Sequence, residues 1–308
     1  MATVPALATR ALELTRHSLA PPLFLLSAVL MLGTVSPVIR FILQQHEIEP
    51  LDLAFVRIAV AFVFLLVATL FQDREEFLAL TPTDVAQLTF VGFLGVGLYY
   101  GLTVWSLKYT TVTHYILIYS LNPCFTAVIS VLMKKDPPSA FKFWGILISF
   151  AGGAISVFDG FVGSSLQIGL GDSLVLLATI IVSFFIVLSA GIVKRYGALT
   201  ANTVMFGSSA FILAAADVFS STPASYLHLL SFRDSSLILY LGIATAAAFL
   251  LRYISLRSLT PMTVGAFHNL VPVCAIALAY LFLGEHVGPP VFVGGTMILA
   301  GVEMVRRG

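Results

Sequence analysis

The sequence predicts an all-α integral membrane fold: ten transmembrane helices in two inverted five-helix repeats around a central cavity. Three observations predict it. First, ten apolar stretches fill the chain of 308 residues, each near the length of about 20 residues that a helix needs to cross the hydrocarbon core. Second, hydrophobic residues make up 59% and charged residues 10%, and mean hydropathy is +1.01; a soluble domain carries about 25% charged residues. Third, the second five stretches read as a copy of the first five. An odd number of spans per copy forces the copies into opposite orientations in the bilayer.

The spans fall at 22–44, 51–71, 85–106, 112–133, 140–158, 172–193, 200–219, 236–256, 262–283 and 289–306. Span one carries Ser36-Pro37, a kink beneath Arg40, and the turn His46 to Pro50 leads into span two. The polar segment Gln72 to Asp84 with its few leucines suits a short amphipathic helix at the interface. Span three is rich in glycine and tyrosine (Gly95, Gly97, Tyr99, Tyr100, Gly101), so it offers close helix approach together with hydroxyl-tipped rings. Tyr99 and Tyr100 are adjacent, and one of them at most is expected to face a cavity. Span four is interrupted at Pro123, and the charged turn Lys134 to Pro138 separates it from span five. Asp159-Gly160 closes the first half. Gly171-Asp172 opens span six, span seven follows the Lys194-Arg195 turn, and Ala244 to Ala248 gives span eight a small-residue face. Span nine is interrupted at Pro272, and Gly284-Glu285-His286 turns into span ten, where Gly294 and Gly301 share one helix face.

Sliding the chain by about 149 residues superposes the halves. Pro123 falls on Pro272, Gly145 on Gly294, Gly152 on Gly301, and Ser106-Leu107-Lys108 on Ser255-Leu256-Arg257. One offset kept across three helices implies a duplication, with repeats at 1–160 and 161–308. Such internal symmetry is the plan of secondary transporters, which bind substrate where the halves meet.

Orientation follows from the basic residues. With a cytoplasmic N-terminus, the inner segments hold Arg10, Arg16, Arg74, Lys134, Lys135, Lys142, Lys194, Arg195, Arg257, Arg306 and Arg307; the outer ones hold Lys108 and Arg233. The positive-inside rule therefore puts both termini in the cytoplasm of a cell membrane, a bacterial inner membrane being the expected setting. The first long apolar run starts at Pro21 without a small-residue cleavage site, so no cleavable signal peptide is expected. A net charge of +1 offers no basic patch for nucleic acid. Cys124 and Cys274 lie inside apolar runs and read as packing residues, and no histidine cluster suggests a metal. The expected partners are a small-molecule substrate and the lipid bilayer, a homodimer stays open, and no cofactor is implied.

These features resemble a known family. Gly171-Asp172, Asn269-Leu270-Val271-Pro272, the turn Leu283-Gly284-Glu285 and the Gly294/Gly301 spacing are similar to EamA-type members of the drug/metabolite transporter superfamily. The resemblance covers nearly the whole chain and is strongest after residue 170. The first half departs from it, with Lys134-Lys135-Asp136 where that family often shows another Gly-Glu turn.

Polar residues well inside a span are expensive and mark function by default. In span four, Tyr115, Tyr119 and Asn122 fall on one stripe that ends at Pro123. In span nine, Gly265, His268, Asn269 and Pro272 form the equivalent stripe, with Tyr119 over His268 and Ser120 over Asn269. Tyr99, Tyr119, Asn122, Pro123, His268, Asn269 and Pro272 are thus the expected lining of one substrate cavity; the competing account is hydrogen bonding that only glues helices together. Arg40 and Arg57, near the outer ends of spans one and two, pair with Glu47, Glu49 and Asp52 across the turn or form an electropositive outer vestibule. No Asp or Glu sits at mid-depth, which leaves His268 or Asp172 as proton-coupling groups, or passive exchange. The expected function is secondary transport, by alternating access, of a small organic metabolite such as an amino acid. The alternative is an integral-membrane enzyme acting on a lipid or small molecule, but the sequence offers no catalytic constellation for it. An ion channel would want a re-entrant filter loop or rings of like charge, and neither is evident.

Overall fold

The helices follow the apolar stretches nearly one for one. The structure is a computed structural model that describes residues 20–45, 48–134, 138–157, 169–218, 232–256, 270–285 and 287–307. Helices α1 (Ala20–Gln45) and α2 (Pro50–Gln72) are the first two spans. A short exposed helix, α3 (Arg74–Leu78), leads to span three, which is built of α4 (Pro82–Gly92), a π-helical stretch over Phe93–Leu98, and α5 (Tyr99–Tyr109). Span four is α6 (Val112–Tyr119) and α7 (Asn122–Leu132), and span five is α8 (Ala140–Val157). The second half repeats this as α9 (Leu170–Tyr196), α10 (Ala198–Val218), α11 (Phe232–Leu256), α12 (Leu270–Leu283) and α13 (Pro289–Arg307). Among the described residues there is no strand.

Six spans are long and apolar enough to cross a membrane by themselves: Pro22–Gln45, Pro50–Gln72, Pro82–Tyr109, Val112–Leu132, Leu170–Ser189 and Ala198–Ala216. The other four are shorter apolar helices. Residues 257–269, which include the expected start of span nine, lie outside the described residues. Large apolar side chains such as Phe71, Phe211, Leu281 and Phe282 are exposed, as a surface solvated by lipid requires.

Two breaks have readable causes. Pro123 lacks an amide proton, so span four cannot continue through it as one helix. The chain turns at Ser120-Leu121 and restarts with Pro123 in the first turn of α7. The Ile116 carbonyl accepts both the Ser120 amide at 2.9 Å and the Ser120 hydroxyl at 2.7 Å, closing the last turn before the break. In span three the π-helical stretch holds Gly95, where a Cβ would collide with the ring of Phe185 from α9. Nearby, a Cβ on Gly92 would lie 2.7 Å from the Cα of Met205 in α10. These glycines let both helices of the other half close on span three.

The packing is two-fold. Helix α1 packs on α11 and α12; its repeat equivalent α9 packs on α5 and α7, the equivalents of those two. Helix α2 pairs with α10 and α8 with α13, so each of these pairs maps onto itself. The α8–α13 crossing carries the symmetry in atoms. A Cβ on Gly145 would lie 2.6 Å from the Gly301 carbonyl oxygen, and one on Gly152 2.5 Å from that of Gly294. Contacts thus descend α13 as they climb α8, and the helices are antiparallel. The Ser149 hydroxyl donates to the Ile298 carbonyl at 3.3 Å, between positions that the repeat makes equivalent. An axis across two antiparallel helices lies in the membrane plane, which is what inverts one half relative to the other.

Candidate ligand cavity

A cavity of about 270 Å³ opens between the halves. Every span except the fifth contributes to its wall. The wall is mostly apolar, and its polar side chains concentrate on spans two, three and four.

Four tyrosines define one side. Tyr99 and Tyr100 start α5, while Tyr115 and Tyr119 lie one turn apart on α6. The rings of Tyr115 and Tyr119 stack at 5.9 Å and 11°, and Tyr119 stacks on Tyr99 at 6.1 Å and 30°. Tyr99 meets Tyr100 at 4.8 Å, and Tyr100 continues to Phe206 at 6.1 Å. Phe206 in turn meets Phe249 edge-on at 5.6 Å. The aromatic wall therefore runs from α6 through α5 to α10 and α11, across the boundary between the halves.

Arg57 supplies the charge. It is the eighth residue of α2, so it lies about 10 Å into the span from its start. It is 3% exposed and lines the cavity. Its Nε and Nη2 donate to the Thr245 hydroxyl at 3.1 and 3.0 Å. That hydroxyl donates its single proton to the Leu241 carbonyl at 2.7 Å, so its lone pairs face the arginine. The guanidinium carbon sits 4.5 Å from the Tyr100 ring centroid, a cation–π arrangement. Nη1 is buried without a hydrogen-bond partner. Asn122 adds a second such donor: its Oδ1 takes a 3.4 Å bond from Thr126, while Nδ2 is buried and unpartnered.

The expected lining residues Tyr99, Tyr119, Asn122, Pro123 and Pro272 surround this one cavity. His268 and Asn269 lie outside the described residues. Three placements differ from the sequence reading. Arg57 does not sit in an outer vestibule; it points into the cavity, held by Thr245 from the opposite half. Arg40 does not line this cavity; its Nη1 donates to the carbonyls of Leu107 (2.6 Å) and Lys108 (3.0 Å) at the end of α5. Tyr99 and Tyr100 both face the cavity. The π-helical stretch just before them offers a cause, since a π-turn rotates the following residues relative to an α-helical register. Phe206 and Thr245, the first in the wall and the second holding Arg57, lie outside the expected lining; Thr245 reads from sequence only as part of the small-residue face of span eight. Arg57 could have been found from its distance into span two.

Polar links join the halves at two places away from the cavity wall. Where α5 meets α6, Glu285 accepts from the backbone amides of Val112 (2.7 Å) and Thr113 (2.9 Å), and also from the Thr113 hydroxyl. Thr111 caps the same helix by accepting from the His114 amide at 3.1 Å. Beside it Thr110 donates to Asp172, whose carboxylate lies 3.5 Å from His114 Nδ1. At the second place Tyr196 donates to Asp84, with Arg195 at 3.6 Å from the same carboxylate. Among the described residues no group of acids, histidines or cysteines could hold a metal ion.

This architecture defines a class: a multi-pass membrane protein of two inverted repeats with a pocket between them. The profile of the EamA-like transporter family matches residues 20–158 and again residues 169–307. The chain belongs to that family. It is similar to an uncharacterized transporter of Clostridium kluyveri, 22% identical over 285 residues, spanning 91% of this chain and 90% of that protein. Another uncharacterized transporter, from Archaeoglobus fulgidus, is 26% identical over 91% of this chain and 96% of its own length. A WAT1-related protein of Arabidopsis thaliana is 25% identical over 77% of this chain and 69% of its own. One crystal structure superposes with a TM-score of 0.66 at 16% identity, over 93% of this chain and 98% of that one; it speaks for the fold alone. The protein is a membrane transporter.

Proposed function

We infer that this transporter moves a small organic metabolite, an amino acid or similar, by alternating access, exporting it or exchanging it across the membrane. The observation that carries the reading is the cavity itself. It lies between halves related by a two-fold axis, with polar groups well inside spans two, three and four, and a pocket between inverted halves is where such transporters bind substrate. Tyr99, Tyr119, Asn122, Pro123 and Pro272 are the described substrate contacts, with His268 and Asn269 completing the ninth-span side. The basic residues favour a cell membrane, bacterial inner membrane in type, with both termini cytoplasmic. The polar links around Glu285 then join the halves toward the outer side, and those around Asp84 toward the inner side. The wall's mix of hydroxyls, amide, guanidinium and rings suits binding and release, with no described carboxylate among its residues to act as nucleophile or base.

Counterflow in proteoliposomes is the test. Purified protein preloaded with a candidate metabolite should accumulate the same labelled compound from outside, after a mass-spectrometric efflux screen in overexpressing cells has nominated it. If none of the nominated compounds exchanges faster than in protein-free liposomes, the transport reading fails.

A further inference from the structure

We propose that the substrate is an organic anion with a flat, largely apolar body: its anionic group binds Arg57, and its body lies against the tyrosine wall. The proposal rests on the transport reading above and deepens it. Arg57 is the starting point. A guanidinium has five N–H donors, and here the Thr245 hydroxyl accepts from only two of its nitrogens. Nη1 is buried and unpartnered on a side chain that lines the cavity. Among the described residues that line the cavity there is no carboxylate, and Arg57 is the one ionised side chain. A hydroxyl and a ring face satisfy the direction of some N–H bonds but do not balance the charge. A buried charge without a counter-ion is strongly disfavoured unless something brings the opposite charge to it.

The remaining donors fit that assignment. Asn122 adds an unpartnered Nδ2 and Thr103 an unpartnered hydroxyl on side chains that line the same space, so all three buried polar atoms left open there can donate, and two of them can only donate. A carboxylate is acceptor-only, and arginine binds its two oxygens in a planar fork. A cationic or purely donor-bearing ligand would leave Nη1 unsatisfied and add like charge. The stacked rings of Tyr99, Tyr115 and Tyr119, with Tyr100 over the guanidinium, provide flat faces beside the charge. A volume near 270 Å³ falls just below the range of about 300–1,000 Å³ usual for ligand pockets, which favours a compact molecule over a lipid.

The test compares 3-phenylpropionate with its uncharged amide, on wild type and on Arg57→Gln, using the full chain in detergent. Thermal unfolding and equilibrium binding should show that the carboxylate stabilises and binds wild type about ten- to hundredfold more tightly than the amide, the range expected of a charge-assisted hydrogen-bonded pair. Arg57→Gln should abolish that preference. Without ligand, Arg57→Gln should melt at or above the wild-type temperature, because it removes an unbalanced charge. Three results overturn the proposal: a wild-type melting temperature unmoved by the carboxylate, an amide that binds equally well, or an Arg57→Gln protein that keeps the carboxylate preference. A ligand-free variant that melts far below wild type also overturns it, by making Arg57 a structural strut. Flux in proteoliposomes separates this from the broader reading. Carriage of the amide but not the acid sinks the anion assignment and leaves transport standing; charge-selective binding without flux of either does the reverse.

Discussion

Asn122 shows how one residue can be both a strut and a contact. Its backbone carbonyl accepts from the Ser183 hydroxyl of α9 at 3.2 Å, and its side-chain oxygen from Thr126. Only Nδ2 is left without a partner, on a side chain that lines the cavity. Asn122→Ala removes that donor and leaves the backbone bond in place. Affinity for the transported substrate should fall about tenfold, in line with about 1–3 kcal/mol for a lost partner in a desolvated site, at near-normal folded yield. Binding titrations on purified variant and wild type measure this; equal affinities would make Asn122 structural only. Much of this site was legible in the sequence, because polar residues stand out inside an apolar span and the Tyr115–Tyr119–Asn122 stripe names its own face. Arg57 was legible as a residue but misplaced. Proximity to a turn with three acids suggested pairing there, and what turns the side chain inward is Thr245, 188 residues away. No local pattern encodes that partner.

At the scale of helices, glycine decides how closely the halves seat. Gly301 of α13 faces the backbone of Gly145 and Ser149, atoms that cannot swing aside as a side-chain tip can. Gly301→Leu should force α8 and α13 apart and destabilise the protein by about 1–3 kcal/mol or more. The measured quantities are yield of folded protein and melting temperature in detergent; values equal to wild type would mean that this face is not a packed one. Glu285 acts across the other interface, capping α6 from the turn after α12. Glu285→Ala leaves two first-turn amides without their acceptor and should cost about 1–2 kcal/mol of stability, with Glu285→Gln intermediate. An unchanged melting temperature for the alanine variant would contradict the capping role. The spans and the α8–α13 seam could be read from apolar length and glycine spacing. The π-helical stretch could not, because it arises where Phe185 from the other half takes the place of a side chain at Gly95.

For the molecule as a whole, inversion is the property from which the rest follows. The two matches to the family profile start 149 residues apart, the same offset that places Ser149 against Ile298. The proposed topology predicts that a cysteine at position 134 is labelled by an impermeant reagent only from the cytoplasm and one at position 159 only from outside. Labelling of both from the same side would break the odd number of spans per repeat and with it the inversion.

The central claim is that one mid-depth site is reached from the two sides of the membrane in turn. The most direct measurement places a single cysteine at Tyr119 in a background with Cys124 and Cys274 replaced, and challenges it with an impermeant thiol reagent in right-side-out and inside-out vesicles. The account predicts reaction from both sides, with each rate depressed by the transported substrate. A thiol that reacts from one side only, or from neither, would contradict it.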